Sequence, residues 1–286
     1  MSVWARGKGG DDNDVDPAMS CGRRKLVVVT ISEVSKAKVE VALKEIRILK
    51  TCGPHPFLLS RDSLFVMDQK VCALSELVHG GTLRQLVSRE GSLTVDATRF
   101  YATEIVDALS CLHARSMAHN ALSLDDLQIT GNGHLMLINF EATTEESQPA
   151  FLDTTRRGGI ACATRTVKES NAILDDWWRV GVAVHEMLFG QEPCRELNDS
   201  AEFEMRPMHA LPMPENAAPC EDSAAWSFVC NLLIPKRAWR LGSRRRGGLR
   251  GIREHDFFLS LSWTDVHAMR LTPPWVPSPA NETTAC

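Results

Sequence analysis

Hydrophobic rhythm is missing from the first 24 residues, which are polar and carry Gly9-Gly10-Asp11-Asp12-Asn13-Asp14. They read as a disordered segment, because such a stretch has too little apolar surface to offset the entropy of ordering. Lys25–Ile31 (KLVVVTI) is then a β-branched run of strand type. From Val34 to Lys50 the apolar positions Val39, Val41, Leu43, Ile46 and Leu49 fit a short helix rich in Lys and Glu, closed by Gly53-Pro54-His55-Pro56. Leu64–Met67 and Val71–Leu77 predict two strands joined by the polar turn Asp68-Gln69-Lys70.

After Gly80-Gly81 the period changes from two to near 3.6. In Thr94–Ala114, Phe100, Ile105, Ala108, Leu109 and Leu112 recur at helical spacing, with Asp96 early in the helix. Two short strands, Leu127–Thr130 and Leu135–Ile138, flank Gly131-Asn132-Gly133, a hairpin turn. Trp177–Phe189 is apolar nearly all round and predicts a buried central helix. Ala224–Leu233 predicts a further amphipathic helix, and Pro273-Pro274 opens an irregular tail. The whole is an α+β, two-lobed plan: a disordered segment (1–24), a small β-rich lobe (25–79), a larger helical lobe (80–271) and a tail (272–286).

Composition changes this picture little. With 44% hydrophobic and 24% charged residues among 286, the chain is an ordinary globular one able to bury a core. A formal net charge of −4 excludes a generally basic nucleic-acid binder. Arg244-Arg245-Arg246 with Arg250 and Arg253 forms a local basic surface, read as a solvated loop. The nine cysteines (21, 52, 72, 111, 162, 194, 220, 230 and 286) are odd in number, and no two share a Cys-x-x-Cys spacing. They read as reduced thiols of a cytoplasmic protein, without a disulfide framework or zinc site. No apolar run approaches the ~20 residues of a membrane span, and the N-terminus lacks the apolar stretch of a signal peptide.

Eight stretches resemble the eukaryotic protein kinase fold, in its AGC serine/threonine branch. They are His55-Pro56-Phe57-Leu58; Glu76-Leu77-Val78-His79-Gly80-Gly81-Thr82-Leu83; Arg99-Phe100-Tyr101-Ala102-Thr103-Glu104-Ile105; Gly133-His134-Leu135-Met136-Leu137; Asp176-Trp177-Trp178-Arg179-Val180-Gly181-Val182; Arg240-Leu241-Gly242; His255-Asp256-Phe257-Phe258; and Pro273-Pro274-Trp275-Val276-Pro277. They stand in the family's order and cover roughly residues 26–277. The spacing from Cys162-Ala163-Thr164-Arg165 to Asp176 is similar to the ribosomal-protein-kinase-like subgroup.

That resemblance implies a small set of charged groups for phosphoryl transfer. Most are replaced. The phosphate-holding lysine corresponds to Thr30, unless a register slip brings in Lys25 or Lys36. Its helical glutamate partner is present as Glu45 and reads as a solvated helix residue. No Gly-rich phosphate loop precedes Thr30, so the resemblance implies a small lobe (25–79) truncated at its start. The catalytic loop reads His119-Asn120-Ala121-Leu122-Ser123-Leu124-Asp125-Asp126. Ala121 stands where an aspartate accepts the substrate proton, and losing such a base costs about 10²–10⁴ in rate. Ser123 replaces the loop lysine and Asp126 the metal-binding asparagine. Asn139-Phe140-Glu141 replaces D-F-G, exchanging a carboxylate for a weaker neutral ligand of a hard cation and removing the flexible glycine. Ser75, Glu76 and Gln128 fall in the nucleotide pocket. Asp126 and Asn139 are weak metal candidates, and Asp125, Asp126 or Glu141 are candidates to supply the missing carboxylates from displaced positions.

Framework positions survive: Asp176, and His119, Phe140 and Leu49 of the internal spine, with Arg61 a departure in its fourth place. The family's activation segment ends in a glutamate paired with the arginine of R-L-G; here Arg165 and Arg240 stand at those places, so the segment Thr154–Arg165 is expected to swing away, unless the local alignment slips and Glu169 pairs with Arg240 instead. The implied function is a pseudokinase: a scaffold or allosteric partner for other proteins, another kinase among them, using no cofactor. The alternatives are a weak serine/threonine kinase using ATP and magnesium with displaced carboxylates, and a truncated isoform without function.

Overall fold

The computed structural model describes residues 26–31, 36–59, 61–67, 70–76, 78, 80–145, 171–193 and 223–277. Three antiparallel strands, β1 (Leu26–Ile31), β2 (Arg61–Met67) and β3 (Lys70–Glu76), form one sheet in the order β1-β3-β2. Thr30 and Phe65 both face Cys72 across the ladders, and the β2–β3 register shifts between Arg61 and Ser63. The β-branched KLVVVTI run thus forms the strand its sequence predicts. The Asp68-Gln69 turn lies outside the described residues.

Helix α1 (Lys36–Cys52) follows β1. Its buried stripe is Ala42, Glu45, Ile46, Ile48, Leu49 and Cys52, while Leu43 is 50% exposed. The apolar list read from the sequence therefore included one residue on the outer face and omitted Glu45, which sits inside the stripe at i+3 from Ala42. After α1 the chain runs into the large lobe: Leu59 N donates to Leu137 O (3.0 Å) and Leu137 N to Phe57 O (2.9 Å). Phe57, Leu58 and Leu59 are buried there.

The large lobe opens with α2 (Leu83–Glu90), which the periodicity did not predict. Thr82 caps it, accepting from Gln85 N, while the Gln85 side chain accepts from Thr82 N. Helix α3 (Val95–His113), capped by Thr94, buries residues on almost every side between Thr98 and Leu112. Strand β4 (Met117–Ala118) pairs with β7 (Thr144–Glu145), and β5 (Leu127–Ile129) with β6 (Leu135–Leu137). The β5–β6 turn needs Gly133: its φ is +88°, and a Cβ there would lie 2.4 Å from Trp275 O, where the C-terminal stretch crosses the hairpin.

Helix α4 (Asn171–Phe189) begins earlier than Trp177, because Ile173 and Leu174 also pack on the core. It is followed by α5 (Ser223–Leu232) and the short α6 (Gly248–Arg253) and α7 (Trp263–His267). Phe228 of α5 stacks on Phe257 (5.0 Å) and meets Phe258 edge-on (4.9 Å). Trp177, Tyr101, Phe140, Phe228 and Phe257 are fully buried, each worth about 2–3 kcal/mol of transfer free energy. A small sheet with one helix against a larger helical body is the two-lobed α+β plan. Among the described residues no helix is long and apolar enough to cross a membrane.

Candidate functional site

One carboxylate from α4 organises the loop between β4 and β5. Asp176 is fully buried; its Oδ2 accepts from His119 N (2.8 Å) and its Oδ1 from Asn120 N (2.7 Å). His113 Nε2 lies 2.8 Å from the same carboxylate. Hydrogen bonds to a charged acceptor contribute about 1.5–3 kcal/mol each, so this single side chain fixes the loop's entry. Asn120 takes a left-handed conformation (φ 66°), which Asn tolerates. Its side chain donates to Ala142 O (2.9 Å) and Thr144 Oγ1 (2.8 Å). His119 is buried edge-on against Phe140 at 5.8 Å, and burial pushes its imidazole below the ordinary range, leaving it neutral at pH 7.

Further along the loop, Asp126 is buried and engaged on both oxygens. Its Oδ1 accepts from Asn139 Nδ2 (2.9 Å), and its Oδ2 from Ser123 N (3.0 Å) and Ser123 Oγ (2.8 Å). Asn139 Oδ1 in turn accepts from Glu141 N (3.2 Å). The three replaced positions Ser123, Asp126 and Asn139 thus satisfy one another. Ala121 stands half-buried in the same loop with only a methyl group to offer.

Helix α1 closes over this arrangement. Lys44 Nζ donates to Glu141 O (2.7 Å), and Glu45 Oε1 accepts from Phe140 N (3.2 Å). Glu45 is only 7% exposed, which corrects its reading as a solvated helix residue. Its place in the apolar stripe carries the carboxylate inward, and the Phe140 amide gives it a donor there.

The other expected positions divide by what the structure describes. Thr30 is the penultimate residue of β1, opposite Cys72; Lys25 lies outside the described residues, and Lys36 begins α1. Ser75 and Glu76 lie in β3, and the side chains of Thr30, Arg61, Ser75 and Glu76 lie outside what is described. Gln128 is half-buried on β5, whose neighbour Ile129 zips to the hinge: Gly80 N donates to Ile129 O (2.8 Å) and Ile129 N to Gly81 O (2.9 Å). Leu49 is buried with His119 and Phe140. Asp125 is exposed and held by Arg84 Nε at 2.6 Å, and Arg84 also pairs with Glu186 of α4. Glu141 is exposed.

Arg165 and Glu169 lie outside the described residues, but Arg240 does not wait for either. Arg240 is 3% exposed and donates to Leu174 O (2.5 Å), Ile234 O (3.0 Å), Pro235 O (3.3 Å) and Asp175 Oδ1 (3.2 Å). Arg237 forks onto the same carboxylate at 2.7 and 2.8 Å. Burial alone would raise the Asp175 carboxyl, but these two guanidinium groups hold it below the usual range. Asp175, the neighbour of Asp176, therefore supplies a counter-charge that sequence reading had sought in Glu169.

One cluster was not anticipated. The buried Asp107 of α3 accepts from Arg253 (3.0 Å) and lies 2.8 Å from His267 Nδ1 and 3.4 Å from His55 Nε2. The ligand atoms of His55, Asp107 and His267 gather within 4.8 Å. Because His55 Nδ1 accepts from Phe57 N, its Nε2 carries the proton, and Arg253 adds a fixed positive charge, so the cluster is an ion-paired tie rather than a cation site. Arg253 consequently leaves the basic surface read from the sequence, as does Arg246, which bonds Asn231 at 2.8 Å. Arg250 pairs with Glu254.

Comparison with known proteins agrees with this architecture. A sequence model of the protein kinase domain matches residues 10–258, starting inside the stretch read as disordered. The chain is 32% identical over 265 residues to the mouse (Mus musculus) RAC-beta serine/threonine-protein kinase, covering 91% of this chain and 54% of that protein. It is 32% identical over 268 residues to RAC-beta serine/threonine-protein kinase A of Xenopus laevis, covering 91% of this chain and 53% of that protein. Against the RAC serine/threonine-protein kinase of Drosophila melanogaster the identity is 29% over 252 residues, with coverage of 87% and 40%. The chain spans about half the length of these relatives, or less. A match over most of the chain, with the hinge, the Asp176-anchored loop and the central helix in their family order, shows that the chain belongs to the protein kinase domain family, in its AGC serine/threonine branch.

Proposed function

We propose that this chain is a pseudokinase: a kinase-domain protein that does not transfer phosphate and works by binding other proteins, as a scaffold or an allosteric partner of another kinase. The observation that carries the reading is the hydrogen bond from Asn139 Nδ2 to Asp126 Oδ1 at 2.9 Å, in a loop where Ala121 has no proton acceptor. Magnesium takes oxygen ligands in near-octahedral geometry at about 2.0–2.1 Å. Here the Asp126 oxygen faces an N–H, and the amide oxygen of Asn139 is turned to the Glu141 backbone. This donor set does not fit that cation. The competing reading, weak transfer with displaced carboxylates, draws support from relatives that are serine/threonine kinases. Against it, Asp125 is held by Arg84 and Asp126 by Ser123 and Asn139. Incubation of the purified chain with γ-labelled ATP, magnesium or manganese and a generic basic peptide should transfer no label. Transfer that disappears in Asp126→Ala would overturn the proposal and favour the weak enzyme.

A further inference from the structure

Arg115, just past α3, lays its guanidinium across the end of α1. Nε donates to Thr51 O (2.7 Å), Nη2 to Cys52 O (2.7 Å), and Nη1 to Cys111 O (2.8 Å) and Cys111 Sγ (3.2 Å). Cys52, the last residue of α1, is buried; Cys111, one turn from the end of α3, is half-buried. The Cys111 Sγ contacts Cys52 O at 4.0 Å, and the two side chains influence one another electrostatically. Both are free thiols. The buried cysteine that ends the small-lobe helix and the half-buried cysteine of the large lobe thus meet beneath one fixed cation, which bonds the sulfur of one and the carbonyl of the other.

We propose that Cys52 and Cys111 form a peroxide-responsive dithiol–disulfide pair, with Cys111 as the attacking sulfur and Cys52 as the resolving one. In the first step the Cys111 thiolate attacks a hydroperoxide. An S–O bond forms, the O–O bond breaks, and the departing oxygen takes a proton and leaves as water or alcohol. In the second step the Cys52 sulfur attacks the Cys111 sulfenic acid. The S–S bond forms, the S–O bond breaks, and the Cys52 proton leaves with the hydroxide as water. Two thiols are oxidised by two electrons in total, and the peroxide is reduced by two. Closure requires the sulfurs to approach to about 2.05 Å, and the Cys111 sulfur already lies 4.0 Å from the Cys52 carbonyl oxygen.

The electrostatics assign the roles. Its interaction with the Cys52 side chain lowers the Cys111 thiol to about 6, with the Arg115 guanidinium, donating to the sulfur at 3.2 Å, assisting and burial and Asp107 opposing. The same interaction, with burial, pushes Cys52 up, so its sulfur is the late-reacting one. The bond would join elements 59 residues apart and clamp α1, the helix that applies Lys44 and Glu45 to the 139–141 loop, onto α3. Oxidation would therefore lock the small-lobe helix in the position seen here.

The test is stoichiometric hydrogen peroxide on the full chain at pH 7, read by intact mass and by peptide mapping without reductant. The expected product has lost two hydrogen atoms and joins the Cys52 and Cys111 peptides. Cys52→Ser should stop at a Cys111 sulfenic acid that dimedone traps, and Cys111→Ser should give neither product. In reduced protein, iodoacetamide labelling of Cys111 should fall only about twofold from pH 7 to 6, whereas a thiol of ordinary pKa near 8.5 falls about tenfold. A bridge joining other cysteines, or Cys111 labelling that falls tenfold over that interval, would overturn the proposal.

Discussion

Replacing Asn139 by aspartate puts a second carboxylate where an amide now donates to Asp126 at 2.9 Å. Two charges about 3 Å apart repel by about 5 kcal/mol at an effective dielectric near 20. The protein can limit this by keeping one proton between them. Holding an aspartic acid protonated at pH 7, three units above its usual pKa, costs about 4 kcal/mol before its new O–H bond offsets part of that. Asn139 is half-buried, so the new side chain can also turn partly toward solvent. The net expectation for Asn139→Asp is a loss of about 2–4 kcal/mol. At about 2–4 °C per kcal/mol for a chain of this size, the melting temperature should fall by roughly 5–15 °C. The assay is a thermal melt at pH 7 in EDTA, repeated at pH 5 and with millimolar magnesium. Because the repelling carboxylate has a raised folded pKa, its penalty is greatest at neutral pH and shrinks as pH falls toward 5. Magnesium should recover part of the loss in the variant and none in the parent, since two carboxylates offer oxygens that one carboxylate and an N–H do not. A variant as stable as the parent in EDTA, and indifferent to magnesium, would refute the view that this hydrogen bond closes the site.

Three further outcomes follow from the same geometry. Asp176→Asn presents an N–H to one of two backbone N–H groups and should cost about 3–5 kcal/mol, seen as lost amide-exchange protection at residues 119–120; retained protection there would show the loop is held by something else. Asp175→Ala leaves Arg240 buried with only carbonyl partners; the cost should be about 1–3 kcal/mol, discounted because Asp175 is 40% exposed, and an unchanged urea midpoint would show that the carbonyls suffice. Burial lowers the imidazoles of His119, His185 and His255 from 6.5, so each contributes stability that is complete above about pH 6.5 and is lost as pH falls through the folded values. Urea midpoints should therefore decline below pH 6.5, and a flat profile from pH 7.5 to 5 would contradict the burial argument.

The large lobe was legible because its signals are local and dense. Phe100, Ile105, Leu109 and Leu112 mark one helix, Gly131-Asn132-Gly133 marks one turn, and both are found where expected. Asp176 was legible only through the resemblance, since nothing in its spacing says that its carboxylate receives the backbone of residues 119 and 120. Helix α2 was missed because its buried residues are only Leu83, Leu86 and Val87; the readable signal was Thr82 followed by Gln85. Glu45 was misjudged because a carboxylate in a helix rich in Lys and Glu looks solvated until the stripe is traced through Ala42, Ile46 and Leu49. Contacts across long sequence separations had no signal at all. His55 meets Asp107 and His267, and Arg240 finds Asp175, only because packed elements bring them together.

The proposal that this chain neither holds Mg-ATP nor transfers phosphate rests on Ser123, Asp126 and Asn139 bonding one another, and nucleotide binding tests it most directly. A fluorescent ATP analogue titrated into the purified chain with millimolar magnesium should show no saturable binding, and Mg-ATP should leave the melting temperature unchanged. A specific ligand at a hundredfold excess over its dissociation constant would stabilise the fold by about 2.7 kcal/mol, well within reach of a thermal melt. Saturable binding that EDTA abolishes and that Asp126→Ala weakens would contradict the account.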